Sequence, residues 1–136
     1  MVPELHQLGI APGQKILIRR APKGFLDALR RRLPPGARVA TRRAARARYD
    51  LILDYPPPDE DFDALFDSLQ RALVPKGALW IVIPNQRAAT QRGVRYDWNA
   101  IIAAALKTTL VDNKTLSFSP EQYGTRFVIR RVYRTQ

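Results

Sequence analysis

The clearest hydrophobic pattern in the chain lies between residues 50 and 84. Two continuous apolar runs, 51–53 and 79–83, flank a stretch in which apolar residues recur at helical spacing. Acidic residues 59–61 favour a helix N-terminus at the start of that stretch. The apolar face predicted for this helix consists of Phe62, Leu65, Phe66, Leu69 and Leu73. Since apolar runs without alternation are typical of strands covered on both faces, the segment predicts a βαβ unit inside a parallel sheet.

The residues before this unit predict a short helical turn over 4–11 and a first strand over 15–18. An amphipathic helix follows, with Phe25, Leu26, Leu29 and Leu33 inward. Residues 37–41 then predict a second strand, and its brevity suggests a sheet edge.

The residues after the central unit begin with 84–96, which we predict to be a long polar loop. Asp97 is placed to cap a helix that starts at Trp98. Segments 110–119 and 125–134 predict strands, and the residues between them are too few for a parallel crossover. The two strands must therefore pair as a hairpin, which makes the last strand antiparallel to the others.

Together these elements predict a single α/β domain over residues 1–136, a three-layer Rossmann-like sandwich. Right-handed crossovers place about six strands in the order 2-1-3-4-6-5. Trp80 and Trp98 fall on core faces and are assigned to packing, and the alternative for Trp98 is that it lines a pocket. His6 is assigned to a helix surface or an interface and not to catalysis.

The composition argues against several kinds of chemical site. The chain has no cysteine and one histidine, so we expect no disulfide, no metal site and no histidine-based catalytic triad. No apolar run approaches the roughly 20 residues of a membrane span. Because the first residues also lack the order of a signal peptide, we expect a cytoplasmic protein that does not contact a membrane.

The charge is strongly positive, with 23 Lys and Arg against 12 Asp and Glu, a formal net charge of +11. Such an excess favours a polyanionic partner. The bases are concentrated in residues 1–50, whereas most of the charged residues within 51–75 are acidic. A compositional origin, such as a GC-rich genome or a hot habitat, is the alternative.

The arginine-rich segments support a hypothesis of nucleic-acid binding. Few aromatic residues are interleaved with them, so binding of RNA would be driven by phosphate contacts and independent of sequence. The candidate residues are Arg42, Arg43, Arg46, Arg48, Arg87, Arg92 and Arg95.

Short motifs give the chain a resemblance to known proteins. Segments 8–13 (LGIAPG), 21–25 (APKGF), 77–84 (GALWIVIP), 110–112 (LVD) and 126–130 (RFVIR) resemble, in order and spacing, a small bacterial family of domains of unknown function. The order of elements resembles the class I S-adenosylmethionine methyltransferase fold without its third strand. Segments 42–49 and 85–96 depart from the family by being richer in arginine. The resemblance implies a fold and does not imply an activity.

Methyltransferases of this fold have an acidic residue and a glycine-rich loop after the first strand, because glycines let the backbone approach the cofactor. Here Arg19 and Arg20 follow the strand, Pro22 lacks an N–H, and Gly24 is the one glycine. After the second strand, residues 41–43 (TRR) stand where an acid would bind ribose. We therefore expect no cofactor, no catalytic residue and a non-catalytic binding or interaction module. A methyltransferase is the alternative, and Asp54 with the following prolines is similar to part of the motif of amino-group methyltransferases.

The candidate binding site lies where the loops diverge at the carboxyl ends of strands one and three, which is where open α/β sheets bind ligands. Backbone N–H groups at the start of the following helix, with a lysine beside them, would bind an anionic small molecule. Alternatively, the bases are solvated and an aspartate neutralises one of them. The residues concerned are Arg19, Arg20, Lys23, Gly24, Asp54, Tyr55 and Asn85.

The last strand suggests a possible homodimer. We expect it to lie at or near a sheet edge, with Phe127 facing the helices and Tyr133 at a contact with a second copy. The arginines at 126, 130, 131 and 134 oppose such pairing.

Overall fold

The computed structural model describes residues 2–134, so that Met1, Thr135 and Gln136 of the predicted domain lie outside the described part of the chain. The elements are α1 (Leu5–Leu8), β1 (Lys15–Arg19), α2 (Phe25–Arg30), β2 (Arg38–Ala40), β3 (Tyr49–Asp54), α3 (Phe62–Gln70), β4 (Leu73–Pro84), α4 (Gln86–Arg92), α5 (Trp98–Leu106), β5 (Leu110–Ser119), β6 (Gln122–Ile129) and a 3₁₀ turn (Arg131–Tyr133).

The six strands form one sheet in the order β2-β1-β3-β4-β6-β5. Strands β1 to β4 pair in parallel, whereas β6 pairs antiparallel with both β4 and β5. The predicted fold class, strand order and antiparallel last strand are therefore confirmed. The short second strand is at the edge, as predicted.

Apolar side chains fill the space on both faces of the sheet. On the face covered by α3 and α5, Phe66 packs against Phe127 with ring centroids 5.0 Å apart. On the face covered by α1 and α2, Trp80 is fully buried and its indole N–H donates to the carbonyl of Leu8 at 2.9 Å. Burial on two faces explains why the central strands are continuously apolar.

Local caps fix where the two longest helices start. The side chain of Asp61 accepts a hydrogen bond from the N–H of Ala64, and that of Asp97 accepts from Ala100. These contacts satisfy N–H groups that have no partner within the helix. The aspartates thus set the starts of α3 and α5 that the sequence predicts.

The prediction of a loop over residues 84–96 is wrong, because Gln86–Arg92 form α4. Asn85 caps this helix by accepting from Ala88, and Gly93 ends it in the left-handed conformation at φ 66°. Only two small side chains, Ala88 and Ala89, are buried by α4. Such a short helix with a small buried face produces no clear hydrophobic period in the sequence.

The predicted bounds of two strands are also corrected. Strand β4 begins at Leu73, so this residue belongs to the sheet and not to the face of α3. Strand β6 begins at Gln122 and ends at Ile129, and residues 131–133 turn into a 3₁₀ helix. A two-residue connection at 120–121 is therefore enough to join β5 to β6.

The last strand lies near the sheet edge but not at it, since β4 and β5 pair with its two sides and β5 is the edge strand. Phe127 is fully buried among the helices, as predicted, whereas Tyr133 is half-exposed in the 3₁₀ turn. Dimerisation stays a prediction, and it would have to use the surface near Tyr133 and not a free edge of β6. No helix within residues 2–134 has the length and apolar character needed to cross a membrane.

Candidate ligand site at the ends of the central strands

The carboxyl ends of β1 and β3 lie side by side and bring opposite charges together. Arg19 is directly opposite Asp54 in the strand register. The Asp54 side chain is fully buried, and its Oδ2 accepts from Nη1 of Arg19 at 2.7 Å. Adjacent parallel strands end at the same edge of a sheet, which explains why residues 35 positions apart meet here.

Arg20 binds the same carboxylate with two nitrogens. Its Nε lies 2.9 Å from Oδ1 of Asp54 and its Nη2 lies 2.7 Å from Oδ2, while Nη1 binds Glu60. The hydrogen bonds to Asp54 raise the pKa of the Arg20 guanidinium, although burial opposes them, and Glu60 adds a smaller effect in the same direction. Planar two-point pairing of this kind gives both energy and a fixed geometry. We call Arg19, Arg20, Asp54 and Glu60 the arginine–carboxylate cluster.

The backbone of Arg20 is in the left-handed region at φ 58°, a conformation that glycine adopts readily and arginine rarely does. Its side chain, held by Asp54 and Glu60, stabilises this conformation. The loop after β1 thus has a glycine-like bend at Arg20 and again at Gly24, where φ is 87°. At the first of these bends the residue is an arginine, whose side chain binds Asp54 and Glu60.

Tyr55 contributes to the core and not to the arginine–carboxylate cluster. Its ring meets those of Phe25 and Phe118 edge-on, with centroids 5.5 and 6.5 Å away. Burial raises the pKa of its hydroxyl. The residue therefore stays neutral and anchors the end of β3 to the α2 face of the sheet.

Lys23 and Gly24 lie at the start of α2, where Gly24 is the N-cap residue and offers no capping side chain. Lys23 is exposed and forms no hydrogen bond or ion pair within residues 2–134. Helix α2 has only six residues, so its dipole is small. The anion site expected here stays a prediction that depends mainly on Lys23.

Asn85 takes part in a different set of contacts. Its Oδ1 accepts from the N–H of Ala88, and its Nδ2 donates to the carbonyl of Pro120 at 2.8 Å. These bonds tie the end of β4 to the connection between β5 and β6. The structure therefore joins Arg19, Arg20 and Asp54 of the predicted site, whereas Asn85 has a structural role elsewhere.

Two residues near this site escape the sequence analysis. Glu60 comes from the irregular segment before α3, and the sequence assigns it to a helix N-terminus and not to a ligand site. Tyr96 donates from its hydroxyl to the carbonyl of Pro56 at 2.8 Å, and its pKa is raised by burial and lowered in part by Arg20 and Arg92. Tyr96 lies at the end of the predicted polar loop, beside the predicted helix cap Asp97, and neither feature indicates a binding role.

The arginines of the nucleic-acid hypothesis lie on two separate elements. Four are exposed in the connection between β2 and β3, where Arg43 donates to Oγ of Ser68 at 2.7 Å. Three belong to α4 and the residues after it, where Arg92 pairs with Glu121 at 3.1 Å. No hydrogen bond or ion pair within residues 2–134 joins the two groups.

Comparison with known proteins supports the fold. The chain is similar to a TehB-like SAM-dependent methyltransferase from Corynebacterium glutamicum, with a TM-score of 0.60 at 14% identity, over 93% of this chain and 85% of that one. A SAM-dependent methyltransferase from Aquifex aeolicus gives 0.63 at 13% identity, over 92% and 87%. A glycopeptide N-methyltransferase complexed with sinefungin gives 0.59 at 10% identity, over 92% and 90%.

No protein-family model and no curated protein sequence matches the chain. Identities this low establish the architecture alone. The chain therefore has a Rossmann-like, class I methyltransferase-like fold, and the predicted resemblance to that fold is confirmed. The resemblance to a bacterial domain family of unknown function stays a prediction.

Proposed function

We propose that this chain is a non-catalytic binding module built on a methyltransferase fold. The observation that carries the proposal is the complete burial of Asp54 beneath two arginines at the carboxyl ends of β1 and β3. In an open α/β sheet this is the position where a ligand would enter. In our proposal the arginine–carboxylate cluster fills that position with protein side chains.

The chemistry of the cluster does not fit S-adenosylmethionine. The sulfonium of that cofactor is positively charged, and at this position it would meet the guanidiniums of Arg19 and Arg20. The carboxylate of Asp54 is already shared by both arginines. After β2, the exposed Thr41 stands where an acid would bind the ribose hydroxyls. The cofactor would have to break a buried, charge-assisted network to bind.

Calorimetric titration of the folded protein with S-adenosylmethionine tests this proposal. We expect no saturable heat, because the network must open before the cofactor enters. An active methyltransferase measured in the same buffer is the positive control. Micromolar affinity for this chain would overturn the proposal.

The second candidate is a SAM-dependent methyltransferase, and the observation that favours it is the likeness to solved methyltransferases over more than nine-tenths of this chain. Under this alternative the arginine–carboxylate cluster is a gate that opens on binding. Replacing Arg20→Gly would then remove the gate and raise cofactor affinity at least tenfold. Under our proposal, Arg20→Gly leaves the protein without saturable cofactor binding.

A further inference from the structure

We propose that a cavity at the carboxyl end of β4 binds a flat aromatic molecule that carries an anionic group. The cavity has a volume of about 710 Å³, within the usual range for small-molecule sites. It is bounded by the end of β4, helix α4, the segment before α5 and the start of β6. The inference rests on the proposed function, since it supplies a ligand class for a module whose usual cofactor site is filled.

Aromatic side chains line the cavity from two directions. Trp98, at the start of α5, meets Tyr123 of β6 edge-on with ring centroids 5.7 Å apart, and Tyr96 lines the cavity as well. Trp98 and Tyr123 are half-buried and present ring surface to the open space. Because rings pack best on other rings in stacked or edge-on arrangements, these walls favour a flat ligand.

Hydrogen-bond donors are available in the same walls. Within residues 2–134 neither the indole N–H of Trp98 nor the hydroxyl of Tyr123 has a hydrogen-bond partner. Burial raises the pKa of the Tyr123 hydroxyl, so it remains a donor at neutral pH. Polar groups of this kind fix the orientation of a ligand held mainly by apolar contact.

Among residues 2–134, Arg95 is the one charged residue in the wall of this cavity. It is exposed and forms no ion pair within the described part of the chain. Its guanidinium is therefore free to bind a carboxylate or a phosphate through two N–H groups.

A neighbouring cavity of about 410 Å³ shares Arg95 and Tyr96 but has a different charge. Its wall also contains four carboxylates, namely Glu60, Asp61, Asp63 and Asp97. These acids repel an anion, so the charge distribution directs an anionic ligand to the cavity beside β4.

Tyr96 separates the β4 cavity from the arginine–carboxylate cluster. Its hydroxyl is held by the carbonyl of Pro56, two residues after Asp54, while the same residue lines the cavity. A ligand beside Trp98 therefore does not need the bonds between Arg20 and Asp54 to open.

The test uses 2-naphthoate, a flat ring with a carboxylate, titrated into ¹⁵N-labelled protein. We expect saturable shifts of the amides around Val94, Trp98 and Tyr123. Arg95→Gln should weaken binding about tenfold or more, because it removes a charge-assisted contact. Arg87→Gln is the matched control, since Arg87 is exposed on α4 outside the cavity wall and should leave the affinity unchanged.

Neutral 2-naphthalenemethanol supplies a second comparison, and it should bind the wild type and Arg95→Gln equally. Trp98→Phe keeps a ring in the wall and should weaken 2-naphthoate less than Trp98→Ala. The inference is overturned if 2-naphthoate causes no saturable shift in the folded wild type, or if Arg95→Gln and Arg87→Gln behave alike. A separate titration with S-adenosylmethionine tests the proposed function. If that function is wrong, the cofactor shifts the amides of Arg20 and Asp54, whether or not 2-naphthoate binds.

Discussion

Asp54 has an unusual environment for a side chain at the end of a strand, since it is fully buried and charged. Three N–H donors from Arg19 and Arg20 satisfy its two oxygens. Both arginine side chains remain about one-third exposed, at 30% and 34%. Partial exposure of the cations reduces what the pairs contribute, but the carboxylate itself depends on them entirely.

Asp54→Asn should lower the free energy of unfolding by about 2–4 kcal/mol, because it removes the charge that binds two guanidiniums. Asp112→Asn is the control, since Asp112 is exposed and has no ion pair in the described structure. Urea denaturation of both variants measures the difference. Equal unfolding midpoints would contradict the role given to Asp54.

Burial of the Tyr55 hydroxyl leads us to expect a loss of stability in alkaline solution. Burial raises the pKa of its hydroxyl above the ordinary value of 10.0, so the folded state retains the proton more tightly than the unfolded state. The stabilisation is complete below pH 10 and is lost as the pH rises through the higher folded-state pKa. Tyr96 and Tyr123 shift in the same direction.

The urea concentration at the unfolding midpoint should therefore decrease as the pH rises from 10 to about 12, and Tyr55→Phe should make this decrease smaller. Tyr133→Phe, at a half-exposed tyrosine, serves as the control and should leave the slope as it is. A slope that Tyr55→Phe does not change would show that burial of this hydroxyl has no effect on alkaline stability.

At the scale of elements, the sequence predicts those features that depend on neighbours along the chain. Helices α3 and α5 follow from an aspartate cap and an apolar period, and both are present. Helix α4 could not be predicted, because its buried face consists of Ala88 and Ala89. Their burial depends on the sheet beneath them and not on a pattern in the segment itself.

The residues of the candidate site also fall into two groups, those that the sequence could place and those that it could not. Arg19 and Asp54 could be placed together because each ends a strand of the same parallel sheet. Glu60 and Tyr96 could not, because each lies in an irregular segment whose path depends on packing. The aromatic cavity also requires Trp98 and Tyr123, which are distant in sequence and meet only in the folded chain.

Packing between β5 and β6 restricts the side chain that position 124 can carry. A Cβ at this position would collide with the ring of Phe118 on β5. That ring packs in turn on Trp80, with centroids 5.7 Å apart, and on Tyr55. The glycine therefore gives an aromatic ring access to the sheet surface.

Gly124→Ala should lower the free energy of unfolding by about 1–3 kcal/mol, since the ring must leave its preferred position. Its near-ultraviolet circular dichroism should also change, because Phe118 packs on Trp80. Thr115→Ala on the exposed side of β5 is the control. A Gly124→Ala protein as stable as the control would disprove the contact.

At the scale of the whole molecule, the net charge of +11 is the dominant property. Six bases pair with acids across the described surface, but the arginines between β2 and β3 have no ion pair there. Exposed arginines of this kind attract polyanions through phosphate contacts and counterion release.

We expect a labelled single-stranded RNA to bind at low salt and to dissociate at moderate salt. Replacing Arg42, Arg43 and Arg46 by glutamine should reduce the salt slope by about 2, because three phosphate contacts are lost. Replacing Arg30 and Arg31, which are exposed at the end of α2, is the control. Fluorescence anisotropy measures each affinity, and a wild type that fails to bind even at low salt would refute the interaction.

We propose that the arginine–carboxylate cluster fills the position at which methyltransferases of this fold bind their cofactor. Heteronuclear NMR tests this proposal, because Arg19 and Asp54 end β1 and β3, and Arg20 and Gly24 lie in the loop that follows β1. Addition of S-adenosylmethionine or sinefungin to the labelled wild type should leave these four amides unshifted. Saturable shifts at all four would show instead that the chain binds the cofactor.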